Sequence, residues 1–297
     1  MTSHLQLVAV LLLAVANLAL LVRVRLALTG TTLIAPWSWC VVAVVAVAGG
    51  ETLIATGIPG HYAASWIEPL RYVASLGTFC PAMAVLGAKR PQDRAWQWVV
   101  LSLWLVLAVP AAHAVATQTG AQFELHLAWK ITLGLVLFLE VLNYAMTRHL
   151  IGILLFASAQ VLLLVPLLNT QLHPSTSYVI AAMGLLMLAQ LETWRQGHKI
   201  NREPSNLQDI WNRFCNDYGA FWTFRVMSLI NQTATASAWP IWLFPDGFYR
   251  IHDDAGNPLP EVEIYPLSEI PPELQSSVNR ALRTTLRRFL SVADLER

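Results

Sequence analysis

The chain has 297 residues, of which 56% are hydrophobic and 12% charged, and its formal net charge is +1. A soluble domain carries about 25% charged residues, and a nucleic-acid binder shows a strongly basic face. Composition therefore excludes an ordinary soluble protein, and no nucleic-acid partner is expected.

The charge deficit is uneven. Residues 1–194 carry eight Lys/Arg and six Asp/Glu, whereas residues 195–297 carry eleven and twelve. The reading is a transmembrane domain over 1–194 and a C-terminal domain over 195–297, the latter long enough to fold as a small domain. A membrane-spanning helix needs about 20 mostly apolar residues. Apolar runs of that kind fall at about 5–22, 35–55, 71–88, 96–116, 127–147, 150–168 and 176–194, which makes seven expected spans. The first lacks the basic leader of a secretory signal, since MTSHLQ has no Lys or Arg and Arg23 and Arg25 follow the run; it reads as a retained helix.

Short loops rich in Lys and Arg stay on the cytoplasmic side. Arg23 and Arg25, then Lys89, Arg90 and Arg94, then Arg148, and finally Arg195, Lys199 and Arg202 occupy every second connection. This alternation predicts an outside N-terminus and a cytoplasmic tail in a plasma or inner membrane. Trp37, Trp39, Trp66, Trp96, Trp98, Trp129 and Trp194 lie near the expected span ends, where an interfacial aromatic belt would place them.

Topology gathers the ionisable residues. Glu51 falls in the outer third of the second span, His61 and Glu68 in the outer connection after it, and Arg71 at the start of the third span. His113, Glu124, His126 and Lys130 cluster at the outer ends of the fourth and fifth spans, and His173 lies in the next outer connection. An outward-facing polar pocket built from Glu51, His61, Glu68, Arg71, His113, His126 and Lys130 is the expectation, with Arg71 as the partner of Glu51. Histidines and carboxylates at one depth suit a divalent metal, a proton relay or a polar substrate. No cofactor is otherwise implied, because HExxH, paired HxxxH and CxxCH spacings are all missing. Interfacial loops also tolerate such residues simply because they are wet.

Further along, Glu140 shares a helical face with Asn143 and Tyr144 at i+3 and i+4. The turn at Arg148–His149 brings Ser158 and Gln160 to a similar depth, so an intramembrane polar network of Glu140, Asn143 and Gln160 is expected. Pro81, Pro110 and Pro166 interrupt spans and mark kinks. Cys40, Cys80 and Cys215 have no disulfide or CxxC spacing and read as small buried hydrophobes.

The tail opens on a capping-box arrangement, Ser205 to Gln208. Leu207, Ile210, Trp211, Phe214, Tyr218, Phe221 and Trp222 then recur at helical spacing. Such an aromatic stripe needs a partner surface: the tail's own core, the bilayer interface or another protein. PIWLFPDGFYRI reads as two short strands about a Pro-Asp-Gly turn, and DDAGNP as a second turn. Pro271-Pro272-Glu273 opens a last helix with the apolar stripe Leu274, Val278, Leu282, Leu286 and Phe289, flanked by Arg280, Arg283, Arg287 and Arg288.

The fold class is thus an all-α polytopic transmembrane bundle of about seven helices with a small cytoplasmic C-terminal α+β domain. Three functional classes fit it. One is a transporter or permease-like protein, or a binder using the polar pocket. The second is a membrane-embedded enzyme with an outward-facing His/Glu site. The third is a membrane-anchored interaction or signalling protein acting through its tail. The lipid bilayer is the one partner common to all three.

Overall fold

The computed structural model describes residues 2–57, 63–117, 123–168, 171–199, 207–252, 258–264 and 271–290. The chain divides into two compact units. One comprises Met1–Leu142 and His149–Lys199, the other Asn143–Arg148 and Ile200–Arg297.

The first unit is helical. In chain order it contains α1 (Thr2–Leu28), α2 (Ile34–Thr56), α3 (Ala63–Leu76), a 3₁₀ turn (Gly77–Phe79), α4 (Cys80–Leu86), α5 (Asp93–Leu107) and α6 (Val109–Thr117). α7 (Leu127–Tyr144), α8 (Leu150–Leu168) and α9 (Thr176–Lys199) complete it, with the last two residues of α7 assigned to the second unit. Six helices are long and apolar enough to cross a membrane: His4–Leu26, Ile34–Thr56, Asp93–Thr117, Leu127–Tyr144, Leu150–Leu168 and Thr176–Gln196. These helices carry large exposed apolar side chains, among them Leu12, Val15, Leu105, Ile131, Leu135, Phe138 and Ile151. A water-soluble surface rarely exposes so much contiguous apolar area.

The segment expected as a continuous span at 71–88 differs from that reading. It begins earlier, at Ala63, and it is broken at Gly77–Phe79. Proline explains the break. Pro81 has no N–H and its ring would collide with the carbonyl four residues back, at Gly77. The chain turns more tightly instead, with Cys80 N–H donating to the Gly77 carbonyl, and Pro81 opens α4. Glu68, expected in a connection, therefore lies inside α3.

Two apolar cores hold this unit together. In one, Val10, Ala14, Val44, Val47, Ala159, Leu163, Ala182 and Met183 bring α1, α2, α8 and α9 into contact. Small residues let helix backbones approach closely, which is how helices associate where no hydrophobic drive exists between them. In the other, Tyr72, Leu76, Phe79, Met83, Val100, Leu107 and Leu133 gather α3 to α5 and α7. Several tryptophans read as interfacial anchors are tied inward: Trp37 Nε1 donates to the Leu21 carbonyl, Trp39 Nε1 to Gln97 Oε1 and Trp96 Nε1 to the Met83 carbonyl.

The second unit contains α10 (Leu207–Ala236), β1 (Ile241–Phe244), β2 (Gly247–His252), β3 (Pro258–Ile264) and α11 (Pro272–Leu286). The expected hairpin forms, with Phe244 facing Gly247 across the turn, and the sheet has a third antiparallel strand that the sequence reading did not include; the turn expected at 253–258 lies, but for Pro258, outside the described residues. β1 lies at the sheet edge, and Asn231 closes it: its amide donates to the Leu243 carbonyl and accepts from the Leu243 N–H. The aromatic stripe of α10 packs into the unit's own core except for Phe221, which is exposed. Trp211, Phe214, Tyr218 and Trp222 are buried there, with the Phe289 ring edge-on to the last three. Val278, Leu282 and Leu286 of α11 are fully buried, as their spacing predicts. The capping box at Ser205 lies outside the described residues.

α10 kinks at Gly219, which has φ +76° and ψ −176°. That backbone region is essentially reserved for glycine. The kink serves a close approach: Phe221 N–H donates to Asn143 Oδ1 at 3.0 Å. Arg148 completes the attachment, its N–H meeting Asn216 Oδ1 at 2.9 Å and its guanidinium meeting Asp217 at 3.0 Å.

Candidate functional site

Glu51, near the C-terminal end of α2, is the first charged residue of the bundle core and is 4% exposed. Arg71 reaches it from α3 in a two-pronged geometry, Nε to Oε1 at 2.6 Å and Nη2 to Oε2 at 2.9 Å. This is the planar fork-to-fork match that favours arginine over lysine. α9 completes the cluster. Thr176 donates its hydroxyl to Glu51 Oε2 and accepts from Arg71 Nη2, while Arg71 Nη1 donates to the Pro174 carbonyl at 2.7 Å. Three helices are thereby joined by one buried ion pair whose remaining donors are also engaged. Beside it lies a cavity of about 20 Å³ lined by Glu51, Arg71, Ser75, Pro166 and Tyr178. That is room for about one water molecule.

A second buried cluster centres on Glu140 of α7. Gln160 Nε2, from α8, donates both to Glu140 Oε2 and to the Thr78 carbonyl in the 3₁₀ turn, each at 3.0 Å. Gln160 Oε1 is buried and accepts no hydrogen bond among the described residues. Glu140 makes no ion pair among them either. Between the two clusters, Ser75 and Thr78 are buried on α3 and the turn, at i+4 and i+7 from Arg71, and so on one helical face. Their hydroxyls bond back to the carbonyls of Arg71 and Ser75.

Among the described residues of the expected outer pocket, Glu68, His113, His126 and Lys130 do not join Glu51. Glu68 accepts the Phe123 N–H at 3.0 Å, fixing the chain just ahead of α7. Lys130 donates to the Leu168 carbonyl at 2.8 Å and so caps the C-terminal end of α8, where a cation suits the helix dipole. His126 caps the N-terminus of α7, its Nδ1 accepting the Ala128 N–H. His113 is exposed on α6, and His61 lies outside the described residues. Among the described residues no three His, Cys, Asp or Glu side chains come together as metal ligands would. In the expected inner network, Glu140 and Gln160 are bonded, but Asn143 is committed to Phe221 and Ser158 bonds only its own helix at the Leu154 carbonyl.

In the tail, burial pushes the Cys215 thiol up to about 12, a rise that hydrogen bonding to Thr223 only partly offsets. At that value it stays protonated at neutral pH. The Tyr249 hydroxyl is also raised, chiefly because it donates to the Asp246 carboxylate. No family model, curated protein or solved structure matches this chain.

Proposed function

We propose that the chain is a seven-crossing membrane protein, N-terminus outside and tail cytoplasmic, that acts as a permease-like protein passing protons through its helical bundle. In this topology the broken segment α3–α4 is the third crossing. One observation carries the reading: polar side chains, all buried except the part-buried Arg71, succeed one another from Glu51 and Arg71 through Ser75 and Thr78 to Gln160 and Glu140. Glu51 lies near the outer end of its span and Glu140 near the inner end of its own. Ionisable groups inside membrane spans mark ion and proton pathways. Irregular backbone at that depth is tolerated where protein or a wet cavity covers it, and the 3₁₀ turn lies on this stripe. The one-water cavity beside Glu51 suits a proton or water better than an organic solute.

The test uses the full-length protein in liposomes holding a trapped pH dye, with a potassium gradient and valinomycin driving proton entry. Wild type acidifies the lumen faster than protein-free liposomes, and Glu140→Gln returns the rate to that baseline. Wild-type rates equal to the baseline overturn the permease reading. Topology is tested separately with a thiol reagent that does not cross membranes, on intact cells, after the native cysteines are replaced. An engineered cysteine at His173 is labelled at once, and one at Gln92 only after permeabilisation; the reverse order inverts the orientation.

A further inference from the structure

We propose that the face of α10 formed by Phe221, Phe224, Arg225 and Leu229 lies in the headgroup region of the bilayer, where α7 ends. The inference rests on the membrane reading of the spans.

After Gly219, α10 has two faces of opposite character. Trp222, Val226, Ile230 and Ala234 are buried in the unit's core. Phe221, Phe224 and Leu229 point the other way and are 39%, 48% and 46% exposed. With Arg225 and Ser228 between them, they occur at the i, i+3, i+4, i+7 and i+8 spacing of a single stripe. Arg225 is exposed at the border of the two faces, its guanidinium 5.7 Å from the centroid of the Trp222 ring. Aromatic rings, an aliphatic side chain and an arginine on one exposed face suit the headgroup level, where amphipathic rings and basic side chains sit.

The occupant follows from where this stripe begins. Phe221 N–H is bonded to Asn143, the penultimate residue of α7, and α7 is one of the helices long and apolar enough to span. Arg148, held by Asn216 and Asp217, immediately precedes α8, the next such helix. The kinked part of α10 is therefore fastened to a short turn joining two spans, and such a turn sits at the level of the lipid headgroups. Phe224 follows only one helical turn after Phe221, a rise of about 4.5 Å. The turn itself carries Met146, which is 89% exposed. A polar partner domain would leave Phe221, Phe224 and Met146 poorly matched, whereas an acyl–headgroup boundary accommodates them along with Arg225, which favours anionic lipid.

The test places nitroxide labels on the full-length protein in vesicles of phosphatidylethanolamine and phosphatidylglycerol, with the native cysteines replaced. Labels go at Phe224→Cys, at Leu12→Cys on α1 and at Ser276→Cys on α11, all exposed positions. Each is compared for collision with oxygen, which concentrates in lipid, and with a water-soluble nickel chelate. Expected is a label at 224 that favours oxygen as the label at 12 does, while the label at 276 favours nickel. If 12 favours oxygen and 224 favours nickel, the face is in water and the inference fails while the membrane reading stands. A label at 224 that is immobile and shielded from both reagents means protein covers the face, which also overturns it. If position 12 itself favours nickel, the membrane reading falls and takes the inference with it.

Discussion

Arg71→Met destabilises the full-length protein by about 3–5 kcal/mol, the usual cost of removing one partner from a buried ion pair. Glu51 is 4% exposed and accepts from both Arg71 and Thr176, so the deletion leaves its carboxylate with one donor and no counter-charge. The Pro174 carbonyl loses its donor as well. Glu51→Gln combined with Arg71→Met removes both charges and costs less than the two single changes added together. The measurement is a double-mutant cycle on thermal or denaturant unfolding in detergent. Strict additivity would show that the two side chains do not interact.

Gly219→Ala acts on the second unit by a different route. The positive φ alone costs a non-glycine residue about 1–3 kcal/mol. A Cβ at this position would also fall 2.5 Å from Asn143 Nδ2 and 2.7 Å from its carbonyl oxygen, and the latter is backbone that cannot rotate away. Overpacking of this kind adds about 1–3 kcal/mol. Expected is loss of the near-ultraviolet dichroism of the Trp211, Trp222 and Phe289 cluster and faster proteolysis of the tail. Gly134→Ala in α7 is the control, since a Cβ there meets nothing within 4 Å; it leaves stability unchanged or slightly raised. Equal effects from the two substitutions would show that the kink at 219 is not specifically required.

Much of the helical unit can be read from residue type alone, because a helix long and apolar enough to cross a membrane needs a run length that requires no tertiary knowledge. The Glu51–Arg71 partnership is legible for the same reason: two opposite charges in an uncharged region have few others to choose. Thr176 and the Pro174 carbonyl are not, since nothing in a periodicity says which helix start comes beside which helix end. The signal for Ser75 and Thr78 was present in their spacing from Arg71, although a hydroxyl in a span reads equally well as a self-bonded side chain. The break at Gly77 follows from Pro81 once the carbonyl four residues back is considered. In the tail, Pro-Asp-Gly announces one hairpin, and the alternation Glu261-Val262-Glu263-Ile264 was an available signal for β3, set back by the prolines at 258 and 260 that open it. Asn143 was assigned to Glu140 by helical spacing, but its acceptor is used by Phe221, 78 residues away. Sequence spacing ranks local partners only.

The second unit is discontinuous in the chain, and this orders events during synthesis. Asp217 follows Arg148 by 69 residues. At about 5–20 residues per second, a ribosome needs roughly 3–14 s to cover that interval. Throughout it, the turn between α7 and α8 exists without Asn216 and Asp217, the residues that later hold Arg148. The second unit therefore cannot close until translation has passed residue 217, whatever α7 and α8 have done by then.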